Sequence, residues 1–288
     1  MATLPNPLPR LATDPSGRSL GLQLPPGRLI DDGGTSHAFR AVGEDEGPWH
    51  EPLLWHAQKT ASPGTWKALG AQAARTGLLP VLVDLGGSQG GPADWELMPG
   101  EMSYPGDHDA EEVLAEYWED NAEEELAEGI SGTEGIEPFG SDWPGLAPAA
   151  SPTATPDVRA AQIADSLTDG TRTWLKEPHL ALVAARRSAD IPAVIGWTGP
   201  LNYEEDVARL CAVLRSWEDR FGIRVVALGF DTLVVSVAAP PATLAEAEAI
   251  AAEHFAFCPD NIPQNGPNAL RTYAEELKGE PTWSFWWD

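Results

Sequence analysis

Ile223-Arg224-Val225-Val226-Ala227-Leu228, Gly229-Phe230-Asp231-Thr232 and Leu233-Val234-Val235-Ser236-Val237-Ala238 run without a break, and their reading decides the class of fold. Two apolar, β-branched runs of strand length flank a turn rich in Gly and Asp, the pattern of a β-hairpin. Pro240-Pro241 stops the second strand. Helical periods lie on both sides. Upstream, Val207, Leu210, Cys211, Leu214 and Trp217 are spaced three and four apart, and Gly222 ends the pattern. Asn202 is the expected cap of this helix, with Glu204-Glu205-Asp206 in its first turn, where the helix dipole favours negative charge. Downstream, Thr243 and Glu246 form a capping box that opens a helix running to about Phe257. A short helix follows, with Leu270, Tyr273, Ala274 and Leu277 on one face and Gly279 as its stop. The aromatic run from Trp283 reads as a last strand.

Further outward, residues 191–198 and 179–185 read as strands and residues 157–168 as a helix. From residue 191 the order is β-α-β-β-α-(α)-β, which predicts a ferredoxin-like split β-α-β unit. Residues 52–60 and 78–85 are further strand candidates. Between them a helix is expected from Ser62 and Pro63 to Gly77, with Trp66, Leu69 and Ala73 on one face. These elements predict an N-terminal extension of the same sheet, and an α/β (α+β) body overall. The segments expected are a proline-rich arm (1–50), an α/β segment (51–106), an acidic helix with a Pro/Ala linker (107–156) and a C-terminal α/β domain (157–288).

The chain carries a net charge of −26, of which residues 1–150 hold −18 and residues 151–288 hold −8. Nucleic acid and anionic lipid both require cationic contacts, so this balance argues against either and favours a basic partner. Residues 107–137 contain 13 Asp and Glu and no Lys or Arg. Val113, Leu114, Tyr117, Trp118 and Leu126 give part of that run a helical stripe. Like charges at helical spacing repel, so such a helix needs a surface to lie on. No apolar run approaches the roughly 18 residues of a membrane span. Residues 1–10 lack the apolar core of a signal peptide, which makes the cytoplasm the expected location. Two cysteines, Cys211 and Cys258, provide neither a disulfide framework nor a cysteine zinc site. The excess of Arg (14) over Lys (4), with abundant Ala, Gly and Pro, points to a GC-rich bacterial genome.

Five motifs recur in order along the C-terminal part. They are Gly196-Trp197-Thr198-Gly199-Pro200 with Asn202, Leu214-Arg215-Ser216-Trp217-Glu218-Asp219-Arg220-Phe221-Gly222 and Gly229-Phe230-Asp231-Thr232-Leu233. The remaining two are Ala252-Glu253-His254-Phe255-Ala256-Phe257-Cys258-Pro259-Asp260-Asn261 and Trp283-Ser284-Phe285-Trp286-Trp287-Asp288. Together they resemble bacterial proteins, many of them actinobacterial, that carry domain of unknown function 4253. The resemblance covers about residues 179–288 and implies no activity.

Gly86-Gly87-Ser88-Gln89-Gly90 fits Gly-x-Ser-x-Gly after a strand, but no helix is expected after it, so a glycine-rich loop is the better reading than a hydrolase elbow. Glu253, His254, Cys258, Asp260 and Asn261 form the densest chemical cluster. Zinc would need further ligands, and Cys258 lies at a helix C-terminus, where a thiolate is disfavoured. Structural packing is therefore the preferred reading, and neither metal nor cofactor is expected. Alternating Trp283, Phe285 and Trp287 suit an aromatic core better than a base-stacking platform in so acidic a chain. Two functional readings remain. In the first, an acidic, non-enzymatic binding or regulatory protein of immunity or inhibitor type engages a basic protein through Glu111, Glu112, Glu116, Glu119 and Glu123. In the second, Trp197, Asp231, Glu253, His254 and Asp260 surround the pocket of an enzyme or small-molecule binder.

Overall fold

The computed structural model describes residues 6–31, 51–127, 136–170, 174–262 and 269–287. The expected hairpin forms as β5 (Arg224–Leu228) and β6 (Thr232–Ser236). It is part of a seven-stranded mixed sheet that also contains β1 (Gly27–Ile30), β2 (Leu54–Thr60), β3 (Leu79–Asp84), β4 (Pro178–Val183) and β7 (Thr282–Trp286), in the order β1-β2-β4-β3-β5-β6-β7. Among the described residues the β3–β5 pairing alone is parallel. All six residues of β4 are buried, which matches the apolar run at residues 180–183 and the place of the strand between β2 and β3.

Helices cover both faces. One face carries α3 (Ala110–Ala127), α5 (Ile191–Ile195), α6 (Val207–Phe221), α7 (Leu244–Phe257) and α8 (Ala269–Leu277) over Val81, Val83, Ala181, Val225, Leu233, Trp283 and Phe285. The other carries α2 (Thr65–Ala73) and α4 (Pro156–Thr168) over Leu82, Leu180, Val226, Ala227 and Val234. Val226 and Ala227 are consecutive yet belong to the same face. The register of β5 against β6 shifts between Val225 and Ala227, and this irregularity accounts for the broken alternation. A third cluster seats the short helix α1 (Pro9–Thr13), with Leu8, Leu11 and Leu22 packed against Trp55 and Leu182.

Several expectations are corrected. Residues 191–195 are helical, not a strand, and β7 pairs directly with β6, so the sheet does not show the strand order of a ferredoxin-like unit. The N-terminal strands and helix do extend the same sheet, as expected. Within the proline-rich arm, residues 6–31 supply α1 and β1, while residues 1–5 and 32–50 lie outside the described residues. Helix α2 starts at Thr65 after Gly64 rather than at Pro63. Helix α6 is capped by Asp206, whose side chain accepts from the Ala208 N–H, and not by Asn202. The capping box of Thr243 and Glu246 forms as read.

Gly196 closes α5 with φ +66, and a Cβ there would stand 2.1 Å from the Pro99 nitrogen and 2.3 Å from the Met98 carbonyl carbon. Both are backbone atoms, and the Met98 N–H donates to the Gly196 carbonyl at 2.8 Å, so the segment after β3 cannot retreat without losing that bond. Gly196→Ala is expected to destabilise the fold by about 2 kcal/mol or more, since it combines left-handed strain with a backbone clash. Thermal unfolding followed by circular dichroism checks this, and an unchanged Tm would refute the close approach.

Candidate functional site

The chemistry-dense end of α7 is the first place to test for a site. Glu253 is fully buried on α7. Arg220 donates to it through Nη1 at 2.7 Å and Nη2 at 2.6 Å. The Trp217 indole donates to Oε2 and the Ala147 N–H to Oε1, each at 2.6 Å. Arg220 Nη1 also donates to the Ala147 carbonyl at 2.7 Å. Every polar atom here is turned inward, so the arrangement clamps the segment before α4 onto α6 and α7.

His254 is also fully buried, boxed by Trp217, Tyr273, Trp283 and Phe285 with ring centroids 4.6 to 5.8 Å away. Its Nδ1 is 2.9 Å from the Tyr273 hydroxyl, and its Nε2 has no hydrogen-bond partner among the described residues. Burial pushes the imidazole down to about 3, so it stays neutral in the folded chain. Cys258 is buried, and its thiol is pushed up to about 12 by the same cause, the opposite of an activated nucleophile. Its Sγ lies 3.1 Å from the Trp286 carbonyl. Asn261 donates to the Ser284 carbonyl at 2.6 Å and accepts from the Trp286 N–H at 3.2 Å. The turn after α7 thus occupies the free edge of β7, as an added strand would.

Trp197 is buried and donates through its indole to the Gly229 and Phe230 carbonyls at 2.9 and 3.1 Å, tying α5 to the hairpin turn. Asp231 accepts from the Thr232 hydroxyl at 3.0 Å, and its carbonyl accepts from the Trp287 N–H at 3.2 Å, which is turn chemistry. Asp260 is exposed. The structure therefore brings Glu253 and His254 together in the core, holds Trp197 and Asp231 at the hairpin turn and leaves Asp260 outside. Ser88 is exposed in a loop with no helix after it, which is not a nucleophile elbow. Among the described residues no group of three or more His, Cys, Asp or Glu is placed to hold a metal ion.

The acidic helix has a different character. Val113, Leu114, Tyr117, Trp118, Asn121 and Ala122 are buried. Trp118 packs against Phe255 and Trp143 with centroids 5.4 and 5.8 Å apart and donates to the Ser141 carbonyl at 3.0 Å. Asn121 donates to the Phe255 carbonyl at 3.0 Å and Tyr203 to the Ala256 carbonyl at 2.5 Å, satisfying the end of α7. Tyr117 donates to Glu204, the residue expected in the first turn of α6. Glu204 also accepts from Arg209 at 3.0 Å, and Arg209 bonds Glu116 at 2.6 Å. The surface the helix needed is thus α6 and α7. Glu111, Glu112, Glu116, Glu119 and Glu123 all stand exposed on its outer side. The part of the acidic run at 128–135 lies outside the described residues.

Residues 179–288 match the model of a family described as Domain of unknown function (DUF4253). No curated protein and no solved structure matches the chain. Among the described residues no helix is long and apolar enough to cross a membrane.

Glu253→Gln leaves Arg220 without its counter-charge in the interior and should cost about 3–5 kcal/mol, whereas Glu123→Gln on the outer face should stay within about 0.5 kcal/mol; denaturant unfolding compares the two. His254 gives a pH signature. Its folded pKa lies below the unfolded value, so protonation of the unfolded chain erodes stability as pH falls from about 6.5 towards 3. His254→Phe should therefore lose about 2 kcal/mol less than the parent between pH 7 and 5. Equal losses in both proteins would mean that the imidazole is not held neutral.

Proposed function

We propose that the chain is a non-catalytic binding protein, of inhibitor or immunity type, that docks a basic protein on the outer face of α3. One observation carries this reading: the helix is fixed to the body through its apolar face while its other face holds Glu112, Glu116, Glu119 and Glu123 in exposed positions spaced four, three and four apart. Among the described residues Arg209 is the cation that reaches this face, and it engages Glu116 alone of the four. Neighbouring like charges on a helix each cost about 0.2–0.5 kcal/mol. A partner presenting Lys or Arg would relieve that repulsion and would be steered to the face by it. Residues that seemed suited to catalysis, Glu253, His254 and Cys258, are committed to packing, which supports binding over chemistry at that end of the molecule.

The test replaces Glu112, Glu116, Glu119 and Glu123 together by Gln. The variant should melt at the same temperature or slightly higher, because self-repulsion is gone. Used as bait beside the parent in host lysate, the parent should retain a basic protein at about 50 mM salt and release it at about 300 mM, where screening shortens to a few ångströms. The variant should retain none. Equal retention by both baits would exclude the α3 face as the binding surface.

A further inference from the structure

The far face of the sheet carries an opening of its own. Helices α2 and α4 stand apart over the start of β3 and enclose a groove of about 630 Å³, floored by Leu79 and Pro80. The gap has a cause in the sequence. The inner walls are built from Gly70 and Ala71 on α2, Ala74 just beyond its end, and Ala160 and Ala161 on α4, small residues that leave space between the two helices. Trp66 supplies an aromatic surface at the α2 side, and Val158, 52% exposed, supplies an apolar lip at the α4 side.

One end of the groove is polar. The chain leaves β4 through Arg186 and Arg187 and enters β5 at Arg224, and all three line it. Arg187 bonds Asp219 at 2.5 Å and Arg224 bonds Asp157 at 2.9 Å, with Glu218 3.6 Å from each. A guanidinium has five N–H donors. Those of Arg224 that are used are on Nε and Nη1, and Nη2 makes no hydrogen bond among the described residues. Lys67 and the three arginines are balanced by Asp157, Asp165, Glu218 and the Asp219 that bonds Arg187, so the groove is locally neutral in a chain of net −26.

We propose that this groove binds a small amphipathic carboxylate, its apolar body against Trp66 and the alanine walls and its carboxylate at Arg186 and Arg224. The volume falls within the range of small-molecule sites, and apolar walls with a few convergent polar groups are their usual composition. The planar fork of a guanidinium matches a carboxylate. A locally neutral lining with guanidiniums at one end suits a monoanion, whereas a phosphate dianion would meet Asp157 and Glu218 with greater repulsion. This site is separate from α3, which lies on the opposite face of the sheet.

The experiment is calorimetric titration of the intact protein with 4-phenylbutyrate and octanoate, and with the matching alcohols, 4-phenylbutanol and octanol. Saturable one-to-one binding of at least one acid is expected, with its alcohol weaker by about tenfold from loss of the charged contact. Ala161→Phe, which fills the groove from α4, should abolish binding while leaving the Tm within a few degrees. Ala71→Phe does the same from α2, should the first variant fail to fold. Arg186→Gln should bring acid and alcohol to equal affinity, a readout that needs neither filled variant. The variant neutralised on α3 should bind the acid as the parent does, whatever the fate of the basic partner. Absence of saturable binding by both acids overturns the proposal. So does undiminished binding by a folded, filled variant.

Discussion

A carboxylate with no contact with solvent has to find all its partners inside the protein, and Glu253 finds four donors within 2.7 Å. Removing ions from water is so costly that a buried pair survives only when its remaining lone pairs and protons are also used. Here that condition joins three pieces of chain: α7 supplies Glu253, α6 supplies Trp217 and Arg220, and the segment between α3 and α4 supplies both the N–H and the carbonyl of Ala147. The same segment is held again where the Ala150 N–H donates to the Arg220 carbonyl at 3.2 Å and the Thr153 N–H to the Ala238 carbonyl at 2.8 Å. It runs from a helix on one face of the sheet to a helix on the other. The ion pair therefore anchors the chain that leads into α4 against α6 and α7.

Sheet topology adds a second constraint. The family match starts at His179, inside β4, yet β4 pairs with β2 on one side and β3 on the other, both supplied by residues before the match. Cut at residue 179, the matched segment would expose the backbone of a fully buried strand along both edges. Such an edge is an aggregation hazard and leaves polar groups unpaired. The unit that satisfies its own backbone is thus larger than the segment that matches.

Much of this was legible before any coordinates. The hairpin, the capping box, α4, the final aromatic strand and the apolar stripe of α3 all rest on local signals that tertiary context reinforces. Residues 191–195 read as a strand in sequence because Ile-Pro-Ala-Val-Ile is too short for period two and period 3.6 to differ, so composition decides. The α6 cap was placed four residues early because Asn202 and Asp206 are both competent. What separates them is Glu204, drawn away by Tyr117 and Arg209, and neither contact has a local signature. At the α7 end the sequence showed which residues were chemically capable but not which way they faced. Glu253 and His254 met the composition of a site and the burial of a core. The groove had no signal at all, since its walls are alanines from helices about 90 residues apart and only the packing of α2 beside α4 brings them together.

A chain of net −26 repels anions as a whole, and distance resolves the difficulty. The carboxylates of α3 lie beyond the helix layer on one face of the sheet, and the arginines of the groove lie within the layer on the other. Each helix layer sits about 10 Å from the strands it covers, so roughly two such spacings separate the surfaces. At physiological salt the screening length is about 8 Å, and a charge more than two such lengths away has little influence on a local ion pair. The potential in the groove is then set by its own lining, where arginines are balanced by neighbouring carboxylates, while the potential at α3 is set by its glutamates. Total charge governs the solubility of the molecule, but it does not govern either surface. A fold that places its acidic helix and its arginine-lined groove on opposite sides of one sheet can present a basic partner and an anionic ligand with two environments that do not compete.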